Sequence, residues 1–215
     1  MNGSLSLYYY PGACSLAPLL VLEELGVPFE ACLVDFSRDQ QKTSGYLNLN
    51  PKGRVPLLVD GDFKLTENPA ILRYLATSIG DGRLWPRGKA DDARCHELLA
   101  WIASTVHALY SHVTRPERYV DGDEARAKVR TKGQQATLGL WNDIDRLFET
   151  RTWAVGDQLS VADYYLLVIW TWARKCGFAG DVRVIFPAWT AHARMLAKRP
   201  ATSRAFAREG IVLPT

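Results

Sequence analysis

The chain has 215 residues, of which 47% are hydrophobic and 23% charged, and its formal net charge is +3. These proportions are ordinary for a globular protein, and the length suits one large domain or two small ones. Because the net charge is small and the basic residues form no run, nucleic-acid binding is not expected.

Neither a targeting segment nor a membrane span is expected. The first ten residues, MNGSLSLYYY, lack the charged start and apolar run of a signal peptide, and no apolar stretch is long enough to cross a bilayer. Four cysteines stand far apart, without the spacing of a zinc site or a dense disulfide framework; they are Cys14, Cys32, Cys95 and Cys176. We therefore expect a cytoplasmic protein with no bound metal and no membrane contact.

The segment from Leu5 to Gly26 predicts a strand, a Pro-Gly break and a helix that begins near Ser15. Cys14 then lies at the helix N-terminus, where free N–H groups and the helix dipole favour an anion. This position predicts a lowered thiol pKa and a functional cysteine. The alternative interpretation is a small buried core cysteine.

Residues 28–35 predict a second strand, which makes a βαβ unit with the first, and the polar run 37–45 predicts a loop. Val55-Pro56 follows at the mouth of an apolar strand. A cis bond there would leave the backbone of Val55 able to pair with an extended peptide, whereas a trans proline would simply end a loop.

Residues 60–62 predict a hairpin turn between strands at 57–59 and 63–66. The next helix begins at Asn68, which we expect to be its N-cap. Its free N–H groups suit a ligand carboxylate, and Glu67 suits an ammonium group, although the same residues also suit a plain helix cap.

Residues 80–88 are rich in helix breakers, and everything after them has helical periodicity. We therefore predict an α/β domain at 1–80, a linker at 81–89 and an all-helical domain at 90–215. Long helices are predicted at 90–110, 124–149, 161–175 and 187–198.

On the first of these helices, Trp101, Ser104 and His107 recur at spacings of three. His107 is a candidate to face the first domain, although a lone histidine on a mixed face is more often structural. Further on, Ser160 and Asp163 have the spacing of a capping box, which predicts a structural role in a buried helix start. Trp170, Trp172 and Trp189 are expected to pack in the core or between the domains.

Together these features resemble the cytosolic glutathione transferases, and most closely their bacterial beta class. The resemblance rests on YPGACSL at 10–16, NPKGRVP at 50–56, the Glu-Asn pair before the helix at 68 and the all-helical second half. It covers essentially the whole chain. It implies a thioredoxin-like βαβ-ββα domain followed by a helical bundle, and a homodimer.

The resemblance also implies a glutathione site, with glutathione as co-substrate and no permanently bound cofactor. Cys14 and His107 would be the catalytic residues beside the sulfur. The residues implied in glutathione binding are Cys14, Val55, Pro56, Glu67, Asn68, His107 and, across the dimer interface, Ser104. Val55 would pair with the cysteinyl backbone, and Glu67 and Asn68 would hold the γ-glutamyl end.

The leading functional hypothesis is a glutathione transferase that directs the glutathione thiolate at a small apolar electrophile, with Tyr10 and Tyr110 beside the second substrate. Core packing is an equal interpretation of both tyrosines. If Cys14 points elsewhere, the hydroxyls of Tyr9, Tyr10 or Ser15 are the remaining candidates to contact the sulfur.

Two other hypotheses stay open. Cys14 could itself attack glutathione and form a mixed disulfide for thiol transfer, reduction or cleavage, as a monothiol because Ala17 stands where a second cysteine would be. The chain could also be a non-catalytic binding protein of the same fold.

Three positions depart from the beta-class pattern. Ala108 stands where the class commonly has a lysine, and residues 37–39 lack a lysine expected to contact glutathione. Asn68 stands where serine or glycine is usual. Because this removes positive charge near an anionic ligand, weaker glutathione binding or a different acceptor class is expected.

Overall fold

The structure is a computed structural model, and it describes residues 5–214. Residues 1–4, which the sequence assigned to the first domain, and Thr215 at the end of the second lie outside the described residues.

The described residues of the first half form a four-stranded mixed sheet. Its strands are β1 (Leu5–Tyr9), β2 (Glu30–Leu33), β3 (Leu57–Asp60) and β4 (Phe63–Thr66), in the order β2-β1-β3-β4. β1 runs parallel to β2, and β3 runs antiparallel to both β1 and β4. The predicted thioredoxin-like arrangement, including the tight hairpin between β3 and β4, is therefore confirmed.

Helices α1 (Leu16–Leu25), α2 (Ser44–Leu49) and α3 (Asn68–Tyr74) accompany the sheet. α1 ends, as predicted, at Gly26, whose φ of 67° suits a residue without a Cβ. α3 continues into a π-helical turn at Leu75–Ile79.

The prediction of a loop at 37–45 is wrong. The chain forms 3₁₀ turns at Phe36–Arg38 and Gln40–Lys42 and then enters α2. The polar side chains there act as caps: Asp35 accepts from the N–H of Ser37 at 2.9 Å, and Thr43 accepts from the N–H of Tyr46 at 3.4 Å. Short polar residues favour both loops and caps, so composition alone did not separate the two.

The second half is helical. Its elements are α4 (Lys89–Trp101), α5 (His107–Thr114), α6 (Asp123–Glu149), α7 (Val161–Cys176), α8 (Val182–Ile185), α9 (Pro187–Ala197) and α10 (Pro200–Glu209). The single helix predicted at 90–110 is instead α4 and α5 joined by a π-helical turn at Ile102–Val106. α10 was not predicted, because its buried face consists largely of small residues such as Ala201 and Ala205.

The core is centred on α7, in which residues 161–173 are all buried. The predicted capping box is present at its start. Asp163 accepts from the N–H of Ser160 at 2.8 Å and from its hydroxyl at 2.9 Å. The other carboxylate oxygen accepts from Ala154 N–H at 2.8 Å and lies 2.9 Å from Nε2 of His192. Asp163 therefore ties together three separate segments.

The tryptophans pack as expected. Trp170 and Trp189 are fully buried, and the indole of Trp170 donates to Thr190 Oγ1 at 3.0 Å. Trp172 lies between the domains, where its indole donates to the carbonyl of Gly12 at 2.9 Å. The loop before Cys14 is therefore held by the helical half.

Ion pairs join α1 to the helical half. Glu24 accepts from the Tyr164 hydroxyl at 2.6 Å and from Arg199 Nε at 3.1 Å, and Glu23 accepts from Arg204 Nε at 2.7 Å. These contacts hold α1 against α7 and α10. Among residues 5–214, every helix is too short or too polar to cross a membrane.

Candidate active site

Two adjoining cavities lie between the sheet and the helices. The first, of about 420 Å³, is lined on the sheet side by Cys14, Val55, Pro56, Glu67 and Asn68, and on the helix side by His107, Ala108, Ser111 and Arg118. The second, of about 600 Å³, is lined on the sheet side by residues 10–13 and Phe36, and on the helix side by Tyr110 and Trp172. Since His107, Ser111 and Arg118 line both, the two cavities meet along α5 and the turn after it.

Cys14 directly precedes the N-cap residue of α1, as expected, and its Sγ lies 3.7 Å from the carbonyl oxygen of Val55. The predicted lowering of its pKa is wrong. Burial raises the pKa of the thiol to about 12, and the carboxylates of Glu67 and Glu209 add to the effect. A carbonyl neighbour favours the S–H form, so Cys14 is a thiol at neutral pH in this structure.

The Val55-Pro56 bond is cis, and this turn is anchored from α2 and from the residue that caps its C-terminus. The carbonyl oxygen of Arg54 accepts from the Tyr46 hydroxyl at 2.7 Å and from Asn50 Nδ2 at 2.7 Å. Val55 itself lines the first cavity.

Asn68 is not the N-cap of α3. That position belongs to Glu67, whose φ of 72° is unusual for a residue with a side chain. Asn68 instead donates from Nδ2 to the carbonyl of Cys14 at 2.9 Å, which draws the start of α3 onto the cysteine loop. Its buried Oδ1 has no partner among the described residues. Glu67 pairs with Lys52 Nζ at 2.6 Å.

His107 begins α5 directly after the π-helical turn, and its ring contacts that of Trp172 at a centroid distance of 4.8 Å. Burial lowers its pKa to about 4, and the positive charges of Arg54 and Arg118 contribute. His107 is therefore neutral at pH 7, with one ring N–H available as a donor.

The structure does not bring Ser104 to either cavity of its own chain. It is exposed, and its hydroxyl lies 3.5 Å from that of Thr105. Its predicted role across a dimer interface stays a prediction.

Two hydroxyls considered from the sequence lie elsewhere. Ser15 is fully buried, and its Oγ accepts from the N–H of Tyr10 at 3.1 Å and donates to its carbonyl at 3.3 Å. Tyr9 is buried in the core, and neither residue is among those lining the two cavities.

Aromatic rings form the walls of the second cavity. Tyr10 stacks on Phe36 at a centroid distance of 4.8 Å, and Tyr110 stacks on Trp172 at 5.3 Å. Burial raises the pKa of Tyr110 to about 12, so its hydroxyl stays protonated.

Sequence reasoning missed several residues that line the first cavity or anchor the loop before Cys14. Lys52 and Arg54 line the first cavity, and both stand within the NPKGRVP motif that already marked this region. Arg118 lies on a helical turn after α5, and Glu209 on α10 accepts from the N–H of Gly12 at 2.8 Å. No local pattern indicated these two, because they reach the site only through the packing of distant segments.

Among residues 5–214, no group of three His, Cys, Asp or Glu side chains could hold a metal ion.

Comparison with known proteins agrees with this geometry. The family model for the glutathione S-transferase N-terminal domain matches residues 3–77, and that for the C-terminal domain matches residues 103–200. Glutathione S-transferase GST-4.5 of Xanthomonas campestris pv. campestris is 35% identical over 187 residues, which cover 80% of this chain and 84% of that protein.

Solved structures give the same result. The beta-class glutathione S-transferase of Sphingomonas chungbukensis superposes with a TM-score of 0.82 at 32% identity, covering 96% of this chain and 100% of that one. A sphingomonad glutathione S-transferase complexed with glutathione gives 0.80 at 34% identity, with the same coverage. The chain belongs to the glutathione S-transferase family.

Proposed function

We propose that this glutathione transferase binds glutathione in the first cavity and directs its thiolate at an electrophilic carbon of a small apolar substrate in the second. The observation that carries the proposal is the shared wall formed by His107, Ser111 and Arg118, with Cys14 on the opposite side of the first cavity. A bound sulfur near this wall faces both cavities.

The first cavity has complementary groups for each part of glutathione. Val55 lies beside Cys14, and its backbone pairs with the cysteinyl unit, as a neighbouring strand would, once its carbonyl exchanges the contact with Cys14 Sγ at 3.7 Å for one with the ligand. Glu67 suits the γ-glutamyl ammonium group, and the unpartnered Oδ1 of Asn68 is a further acceptor. Arg54 lines the cavity and provides positive charge there, whereas the charge of Lys52 is paired with Glu67 at 2.6 Å.

The protonation states assign roles at the sulfur. With its pKa near 12, Cys14 acts as an S–H donor rather than as a nucleophile, and neutral His107 acts as an N–H donor rather than as a base. Both hydrogen bonds stabilise the glutathione thiolate, which forms the new carbon–sulfur bond while the leaving group departs with its electron pair. The thiol proton passes to solvent. The same pKa argues against mixed-disulfide chemistry at Cys14.

The test is the pKa of bound glutathione, measured from its ultraviolet thiolate absorbance in the wild type, Cys14→Ala and His107→Asn. We expect the wild type to hold a thiolate at neutral pH and each variant to raise the pKa by about one unit. Exposed Lys198→Gln is the matched control. A pKa that neither variant alters would remove both residues from this role.

Mass spectrometry after incubation with oxidised glutathione separates this mechanism from the alternative. We expect no adduct on Cys14 in a protein that still binds glutathione. An adduct confined to Cys14 would favour mixed-disulfide chemistry, and failure to bind glutathione would favour a non-catalytic binding protein.

We also infer that the protein is a cytoplasmic homodimer that acts in detoxification. We place its domains at residues 1–80 and 90–215, with a linker at 81–89. Support comes from the exposed Ser104, which a partner could bring to the site, and from the positive φ values of Asp81 and Leu84 at the change from sheet to helices. Light scattering tests the dimer, and a monomer would remove Ser104 from the site.

A further inference from the structure

The second cavity is strongly cationic. Arg115, Arg118, Arg130 and Lys175 line it, and its described lining includes no aspartate or glutamate. Among residues 5–214, these four side chains take part in no ion pair. An uncompensated group of like charges at one concave site raises the local concentration of anions.

The positions of these charges separate them from the first cavity. Of these four cations, Arg118 lines both cavities, whereas Arg115, Arg130 and Lys175 line the second alone. Glutathione in the first cavity would therefore leave three of the four cations without a counter-charge. Arg130 is oriented by its Nε, which donates to the carbonyl of Val113 at 3.2 Å.

The walls between these cations are flat and aromatic. Parallel ring pairs, Tyr10 with Phe36 and Tyr110 with Trp172, offer faces on which another ring can stack. Arg115 and Lys175 are exposed at the rim, while the rings lie deeper. A ligand that fits has an aromatic body and a negatively charged substituent directed at the rim.

We propose that the preferred electrophile is an aromatic molecule with an anionic substituent such as a carboxylate, held by stacking in the second cavity and by Arg115, Arg118 and Lys175 at its rim. This inference rests on the proposed function and narrows it from apolar electrophiles in general. In the reaction, the glutathione sulfur bonds to an activated ring carbon, and a halide leaves with the electron pair. The carboxylate is unchanged and serves only in recognition.

A matched pair of substrates tests the proposal. A chlorodinitrobenzoate and the amide of the same acid have similar size and differ by one negative charge. With each rate divided by the uncatalysed rate, we expect kcat/KM to favour the carboxylate by about tenfold or more at low salt, and the preference to fall as salt screens the rim.

Variants at the rim identify the recognising groups. Arg115 and Lys175 line the second cavity and not the first. Arg115→Gln and Lys175→Gln should therefore each reduce the preference for the acid over the amide about threefold without changing the KM for glutathione. Lys198→Gln removes an exposed positive charge from outside both cavities and should leave the preference unchanged. Equal turnover of acid and amide, or a preference that survives the Arg115 and Lys175 double variant, overturns the proposal.

Binding of the unreactive dinitrobenzoate and its amide, measured by calorimetry with and without glutathione, separates failure of this inference from failure of the proposed function. Tighter binding of the acid without turnover of either chloro compound supports the anionic site and contradicts the proposed reaction. Turnover with equal binding contradicts only the inference.

Discussion

A carboxylate oxygen of Glu209, in the last turn of α10, accepts a hydrogen bond from the backbone N–H of Gly12 at 2.8 Å across 197 positions of the chain. The indole of Trp172 donates to the carbonyl of the same glycine at 2.9 Å. Gly12 has a φ of 74° and lies two residues before Cys14. The helical half therefore holds both polar groups of one residue in the cysteine loop, and the position of the Cys14 thiol depends on α7 and α10.

Removal of the Glu209 side chain should loosen this loop. Glu209→Ala leaves the Gly12 N–H without its acceptor, which typically destabilises a fold by about 1–3 kcal/mol. We expect a lower urea midpoint and a reduced kcat/KM for glutathione. Glu209→Gln retains an acceptor and should preserve activity at neutral pH. If Glu209→Ala keeps wild-type kinetics, the loop is positioned without α10.

Glu209 should also make stability depend on pH. Burial raises its pKa to about 7, although the Gly12 N–H opposes the shift. Its stabilising contribution is complete below the unfolded-state pKa, near 4.5, and is lost as the pH rises through about 7. Over this range the free energy of unfolding should fall by up to about 3 kcal/mol from this group.

Urea unfolding of the wild type and Glu209→Gln across this pH range measures the effect. His107, with a lowered pKa, acts in the opposite direction, because the unfolded state binds more protons between pH 4 and 6.5. The difference between the two proteins therefore isolates Glu209. Identical pH profiles would show that the carboxylate is not perturbed.

Cys14 should react slowly with alkylating agents. With a pKa of about 12, its thiolate fraction at neutral pH is about a thousandfold below that of a hydrated cysteine thiol, whose pKa is 9.0. Peptide mapping after iodoacetamide treatment should find Cys32 labelled before Cys14. The urea-unfolded protein, in which both thiols are hydrated, provides the control. Preferential labelling of Cys14 in the folded protein would indicate a lowered pKa.

Asp163 should be essential for folding. The residue is fully buried. Its carboxylate oxygens accept hydrogen bonds from the N–H groups of Ala154 and Ser160 and lie within hydrogen-bond distance of His192 Nε2. Asp163→Ala leaves several buried donors unpaired, so we expect a loss of about 3 kcal/mol or more in urea unfolding. Exposed Asp157→Ala is the matched control and should change stability by less than about 0.5 kcal/mol.

Much of the fold could be predicted from local patterns. The strand, break and helix around Cys14, the turn at 60–62 and the long helices all follow from periodicity and from glycine and proline positions. The predictions were wrong where one residue type is common in two kinds of local structure. Asn68 resembles a helix cap, but its amide has a better partner in the Cys14 carbonyl, which no local pattern reveals.

The sequence by itself determined which side chains are candidates for the site, since Cys14, Val55 and Glu67 are recognisable from their motifs. Only the tertiary structure decided their protonation states and surroundings. Burial of Cys14 raises its pKa although its place before a helix predicts the opposite, because desolvation depends on every segment that covers the thiol. The cationic lining of the second cavity, formed by residues from α6, α7 and the segment after α5, likewise exists only once those elements pack together.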